Sequence, residues 1–288
     1  MEKIGAQTIW SYFDETSDAK SATNSAIRAG SGHPVSSYFR LAKKVAELQF
    51  RNRDYVLLFR GQAADHRTSK GNSTLKPTIF RLDGLKIPRK AALTLRFHTL
   101  RSAEAQLASR YAAEGFLGTE RLKRQRILRW SILQHYEVCR TPLLDVTQSL
   151  RVAASFASLG NESEDAYLFV FGVPNLSGAI TASAEAGLQI VRLSSACPPE
   201  AVRPHLQEGY LLGEYPEIAD YDQKAHYEYY ETDFGRRLVA KFKFNPTTFW
   251  KSENYPQATG DALYPRQHRD RLLTITETIK SSIASSDT

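Results

Sequence analysis

Asp54-Tyr55-Val56-Leu57-Leu58-Phe59-Arg60-Gly61-Gln62 is the stretch from which the fold of this chain is read. Its apolar run, bounded by an acid at one end and by Arg-Gly at the other, has the length and composition of a buried strand. That strand lies between two segments of helical spacing. Upstream, Tyr38, Leu41, Val45 and Leu48 recur every three or four residues, which predicts a helix of about 37–51 capped by Ser36 or Ser37. Downstream, Pro88 opens a helix whose Leu93, Phe97, Leu100, Leu107 and Tyr111 share a face and which ends near Gly115. A third helix is predicted from Thr119, as its cap, to about Tyr136.

Beyond Pro142 the pattern turns to strands, at about 142–146, 165–173, 188–193, 208–213 and 236–244. A helix at 148–159 follows Asp145-Val146-Thr147, and its small residues let it lie close to a sheet. Asp261 is the expected cap of a last helix from Ala262 to about Ile279. Helices in the first half and strands in the second predict an α+β fold, a helical N-terminal half on a mixed or antiparallel sheet, rather than a doubly wound one. Residues 1–34, rich in Ser, Ala, Gly and Asp, are expected as a loosely attached extension, with a single domain over 35–288.

The 288 residues are ample for a core without staples. Two cysteines, Cys139 and Cys197, suit neither a disulfide framework nor a four-ligand zinc site, so a reducing, cytoplasmic setting and no metal are expected. No run of about 18 apolar residues suggests a membrane span, and Met1-Glu2-Lys3-Ile4 does not open like a signal peptide. Gly30-Ser31-Gly32 lacks the third glycine and the preceding strand of a dinucleotide fingerprint, and no Walker loop occurs.

The net charge of +7 is concentrated: residues 81–130 carry 12 Lys or Arg against 4 Asp or Glu. Such a segment either attracts a phosphate-rich partner or is a solvated helical face. Arg121, Lys123, Arg124, Arg126 and Arg129 are the candidate nucleic-acid contacts.

Four features carry chemistry. Arg60, at a strand end and followed by a glycine that permits close approach, suits a diphosphate or carboxylate, or else pairs with a buried acid such as Asp145. Arg81, closing Leu75-Lys76-Pro77-Thr78-Ile79-Phe80-Arg81, either brings a second guanidinium or fixes a loop. His135, in Gln134-His135-Tyr136, either meets a ribose or base or is structural. Asp145, with Thr147 between strand and helix, either caps exposed N–H groups or orients a ligand.

Together these blocks resemble the FRG domain family, named for its Phe/Tyr-Arg-Gly motif. The resemblance runs through Phe59-Arg60-Gly61-Gln62, Leu75 to Arg81, Leu133 to Tyr136, Leu143 to Thr147, Ser149 to Ala157 and Gln207-Glu208-Gly209-Tyr210, over about 55–212. The chain departs from the family pattern at Glu137, often Gly, at Val146, often Trp, and at Arg140-Thr141-Pro142, usually Pro-Thr-Arg.

The order of blocks is similar to that of the ADP-ribosyltransferase fold, with Arg60, Asp145-Val146-Thr147 and Gln207-Glu208 in its three signature places. The resemblance implies an ADP-ribosyltransferase-like core that uses NAD as substrate and no metal. In that reading Arg60 holds the diphosphate with Gly61, Gln62 and Arg81 beside it. Thr147 and His135 orient the nicotinamide ribose, Asp145 and Gln207 complete the cofactor-binding set, and Glu208 stabilises the developing positive charge and positions the nucleophile. Either Glu208 is catalytic or it is a solvent-facing acid at a strand start, with Glu214, Glu228 and Glu231 as fallbacks. A DNA or RNA acceptor, a toxin or anti-phage role and a regulatory protein or antitoxin are expectations of the same resemblance. The alternatives are a non-catalytic nucleotide or nucleic-acid binding module and an NAD glycohydrolase.

Overall fold

The computed structural model describes all residues except 5–8, 14–15, 82–87, 227–231, 252–253, 266–269 and 287–288. In chain order the first elements are β1 (Ile9–Ser11), β2 (Lys20–Ala22), α1 (Asn24–Ala29), β3 (His33–Pro34), α2 (Tyr38–Arg51) and β4 (Val56–Gln62). Next come α3 (Lys90–Ala113), α4 (Thr119–Arg124), α5 (Arg126–His135), β5 (Leu144–Thr147), α6 (Leu150–Ser158), β6 (Ala166–Val173), β7 (Ile180–Ser183) and β8 (Leu188–Arg192). The chain continues through α7 (Leu193–Ala196), α8 (Val202–Leu206), β9 (Gly209–Glu214), α9 (Tyr221–Ala225), β10 (Leu238–Phe244), α10 (Pro246–Phe249), α11 (Gly260–Leu263) and α12 (Arg271–Ser286). The fold is α+β, as the sequence predicts.

The chain divides into two compact units, where the sequence reading has one domain from residue 35 on. Unit 1 is Met1–Leu75, Val146–Leu176 and Asp233–Tyr264; unit 2 is Lys76–Asp145, Ser177–Thr232 and Pro265–Thr288.

Unit 1 is a mixed sheet in the order β3-β10-β6-β4-β5, with β3 parallel to β10 and the other pairs antiparallel. Alternation along β4 puts Leu57, Phe59 and Gly61 on one face. A Cβ on Gly61 would lie 1.8 Å from the Ala153 carbonyl oxygen and 2.8 Å from the Ala157 nitrogen. Helix α6 therefore lies directly on this strand, and its Ala153, Ala154 and Ala157 are fully buried, as its small residues predict. On the opposite face Arg60 pairs with Phe169 and Gln62 with Tyr167.

Residues 1–34 are not a loose extension. Ile4, Ile9, Tyr12 and Ile27 are buried. Asn52, the C-cap of α2, accepts from the Trp10 N–H at 2.9 Å and donates to its carbonyl at 3.0 Å, and Asn24 donates to the Gly235 and Leu238 carbonyls at 2.9 and 3.0 Å. Single apolar residues fastened by asparagines leave no period to read.

Unit 2 packs α3, α5 and α12 with the antiparallel strands β9-β8-β7. Its core holds Leu93, Phe97, Leu100, Leu107 and Tyr111 of α3, the predicted stripe, with Trp130, Leu133, Leu211 and Ile279. Two helix predictions are corrected here. The third helix breaks at Gln125, which has extended φ −107° and ψ 100°, and its N-cap is Gly118 in the left-handed region rather than Thr119. The last helix is two: α11, capped in unit 1 by Thr259 rather than Asp261, and α12.

Candidate functional site

In unit 2 the motif blocks converge on one buried imidazole. Helix α5 ends in a Schellman turn, the Val138 N–H bonding the Leu133 carbonyl at 2.9 Å and the Glu137 N–H that of Gln134 at 3.0 Å. Glu137 there has φ +57°, a backbone region that suits glycine, the residue the resemblance leads one to expect at this position. The turn fixes Gln134, whose Oε1 accepts from the Thr141 hydroxyl at 2.6 Å and the Thr78 hydroxyl at 3.2 Å, while Nε2 donates to Asp145 at 2.7 Å. Thr78, Gln134, Thr141 and Asp145 are thus one hydrogen-bonded unit drawn from three sequence blocks.

His135 is next to it, with Nδ1 3.6 Å from the other Asp145 oxygen. Its side chain is 3% exposed against 32% for Asp145. Burial lowers its pKa, with Asp145 opposing, so the ring is neutral at pH 7. Nε2 has no hydrogen-bond partner among the described residues. A Cβ on Gly209 would come within 3.2 Å of His135 Cε1, so the glycine is where the start of β9 meets the ring. Immediately before it Gln207 is buried, whereas Glu208 is exposed and held at φ +46°. Left-handed backbone at an acid costs about 1 kcal/mol and is a mark of constrained sites. The Glu208 carboxylate is exposed and that of Asp145 is part-exposed, whereas His135 is inside: it backs Asp145 and cannot stack on a base.

Asp270, which the sequence reading passed over, fastens this arrangement. One oxygen accepts from the Tyr136 hydroxyl at 2.9 Å and from the Val202 and Arg203 N–H groups at 2.9 and 3.1 Å; the other accepts from the Leu273 N–H at 2.9 Å. It therefore caps α12 and ties α8, which leads into Gln207-Glu208, to the Gln134-His135-Tyr136 block. Burial raises the Tyr136 pKa, reinforced by this carboxylate. Arg203 adds an ion pair to Glu137 at 2.7 Å. Reading Asp270, an acid ahead of Leu272 and Leu273, as the cap in place of Asp261 would have found it.

In unit 1, Gly61 serves helix packing rather than ligand approach. Asp145 is not the α6 cap: Ser149 accepts from the Val152 N–H at 3.5 Å, and the Thr147 hydroxyl accepts from the Ser149 N–H at 2.9 Å. Thr147 is 5% exposed. Arg60 and Gln62 are half-buried on the face away from α6, beside the stacked Tyr167 and Phe169 rings, whose centroids are 6.4 Å apart. Arg81, in unit 2 and exposed, donates to the Lys76 carbonyl at 2.9 Å and closes its own loop.

The basic helices are largely committed to their own unit. Arg129 donates to the Leu122 and Lys123 carbonyls at 2.7 and 2.8 Å and to Glu104 at 3.2 Å. Arg121 donates to the Ser195 and Ala196 carbonyls at 3.2 and 3.0 Å. Lys123, Arg124 and Arg126 are exposed. Of the fallback acids, Glu214 is buried at the end of β9, and Glu228 and Glu231 lie outside the described residues. Among the described residues no group of three or more His, Cys, Asp or Glu could hold a metal, and no helix is long and apolar enough to cross a membrane.

A strand ending in Phe-Arg-Gly beneath an alanine-faced helix, and a Gln-His-Tyr turn locked to a Leu-Leu-Asp strand, define one class of domain. The FRG domain family model matches residues 56–166, so the chain carries an FRG domain there. No curated protein and no solved structure matches the chain. The match takes in β4, the Gln134–Tyr136 turn and α6, and ends before Gln207-Glu208.

Proposed function

We propose that the protein is an NAD-dependent ADP-ribosyltransferase with an ADP-ribosyltransferase-like core and a nucleic-acid acceptor. The observation that supports this most is the convergence on His135 of the Asp145 carboxylate and the Glu208-Gly209 turn. The glycosidic bond of NAD breaks with nicotinamide taking the electron pair, leaving an oxocarbenium-like C1′ that fixed carboxylates stabilise. Glu208 is assigned to that charge and to the proton released by the attacking acceptor, Asp145 to orienting the ribose, and Arg60 to the diphosphate. His135 acts through Asp145. Lys123, Arg124 and Arg126 supply the exposed cations for an acceptor strand. A toxin or anti-phage role, with a regulatory protein or antitoxin as partner, is the part of the proposal that rests on the family resemblance alone.

The test is mass spectrometry of DNA, RNA and protein acceptors after incubation with NAD, for the wild type, Arg60→Ala and Glu208→Gln. One ADP-ribose added to nucleic acid and lost in both variants is the expected result. Released nicotinamide without an adduct makes the protein an NAD glycohydrolase, and intact NAD leaves a binding module.

A further inference from the structure

Unit 1 contains an open groove of about 520 Å³, lined by Arg40 and Lys44 of α2, Lys243 of β10 and the hydroxyls of Ser17, Ser36 and Thr248. Its volume is that of a site for a nucleotide-sized ligand. Among the described residues lining it, Asp165 is the one carboxylate, 3.5 Å from Lys243 Nζ. Three cations thus face one acid.

The cations are held differently. Lys44 sits over the Tyr12 ring, 4.0 Å from its centroid, and donates to the Ser17 carbonyl at 3.3 Å. Burial lowers its pKa; Glu47 and Asp18 oppose this, and Arg40 and Lys43 add to it. The Arg40 guanidinium is exposed and has no hydrogen-bond or ion-pair partner among the described residues. Ser36 precedes the Ser37 cap of α2, a 14-residue helix with no acid in its first turn, so the positive end of its dipole is not neutralised locally. Compared with Arg121 and Arg129, whose donors are used on carbonyls, Arg40 is arranged for an anion from outside, with Lys44 and Lys243 adding charge beside it.

We propose that this groove binds the phosphates of a polyanionic ligand, either a free nucleoside polyphosphate or the phosphodiester backbone of a single strand. The site stands whether or not the protein transfers ADP-ribose. Arg40 is its bidentate contact, Lys243 and Lys44 supply charge, and the Ser36 hydroxyl donates to a remaining oxygen, those of Ser17 and Thr248 being used on Asp18 and Asn245.

The experiment is calorimetric titration of the full chain with inorganic tripolyphosphate, followed by displacement with ATP or with a short single-stranded oligonucleotide. Arg40→Glu is compared with Lys280→Glu, the same charge change at an exposed cation of α12, and with Arg60→Ala, which reports any contribution of the proposed NAD site. The expected result is binding weakened about tenfold or more by Arg40→Glu, as for loss of a charged hydrogen bond. Its melting temperature should not fall, because a glutamate three residues after the Ser37 cap suits the start of α2, and Lys280→Glu should bind as the wild type does. Displacement by ATP alone assigns a free nucleotide; displacement by the oligonucleotide with a steep salt dependence assigns a strand. Absence of tripolyphosphate binding, an equal loss in Lys280→Glu, or a loss confined to Arg60→Ala overturns the proposal.

Discussion

Two buried polar clusters, one in each unit, are built on opposite terms. In unit 1 the Lys241 ammonium, 1% exposed, donates to Asp65 at 2.8 Å, to the Ser73 hydroxyl at 2.7 Å and to the Gly30 carbonyl. Nearby Asp233, fully buried, accepts from Arg28 at 2.7 Å and from the Leu75 and Gly235 N–H groups at 2.7 and 2.8 Å. In unit 2 the buried imidazole of His135 faces a carboxylate that is itself partly in water, and its Nε2 is unmatched among the described residues. A buried charge whose donors are all used holds a fold together. A buried base behind a part-exposed acid is what the proposed active site requires.

The contrast can be broken at several points. Lys241→Met should cause the largest effect, a loss of about 3–5 kcal/mol in urea unfolding, because it strips a buried ammonium from the Ser73 hydroxyl, the Gly30 carbonyl and Asp65, which keeps only the half-exposed Arg67 at 2.9 Å. Adding Asp65→Leu should recover part of it. A loss below about 1 kcal/mol would show that the pair is not what secures these loops. Gly61→Ala comes next, at about 3 kcal/mol, since its methyl group would overlap the α6 backbone; a variant as stable as the wild type would return Gly61 to a ligand role.

His135 gives a smaller, pH-dependent effect. Burial depresses its folded-state pKa below the unfolded value of about 6.5, so the native state binds its proton less readily. The resulting stability is present above about pH 6.5 and is lost as pH falls through the folded pKa, at no more than about 1.4 kcal/mol per pH unit. Denaturant titrations between neutral and acid pH should show this slope in the wild type and not in His135→Asn. The smallest effect is at Glu137: Glu137→Gly should exceed Glu137→Ala in stability by about 1 kcal/mol, because both lack the Arg203 ion pair and only glycine is at ease at φ +57°. Equal values would remove the turn's strain as the reason for the family's glycine.

What could be read from the sequence follows from what each residue depends on. Strands β4, β6, β8, β9 and β10 and helix α2 announce themselves because burial writes a local apolar pattern. The break at Gln125 and the packed, described part of the first 34 residues have no such pattern; the latter is secured by side chains distant in sequence, such as Asn24 to Leu238. At the site, residue identity was legible and role was not. Asp145 looks like a helix cap until Ser149 is seen in that place, and His135 looks like a ligand contact until its burial is known. The charge of residues 81–130 looked like a surface, although Arg121 and Arg129 turn inward to backbone carbonyls.

The most direct test of the central claim is release of nicotinamide from NAD by the purified chain, measured for the wild type, Asp145→Asn and Glu208→Gln. The account predicts release by the wild type, a loss of two or more orders of magnitude in Glu208→Gln, a lesser loss in Asp145→Asn, and native melting temperatures in both variants. Release unchanged in Glu208→Gln, or none from the wild type with DNA, RNA and protein acceptors present, would contradict it.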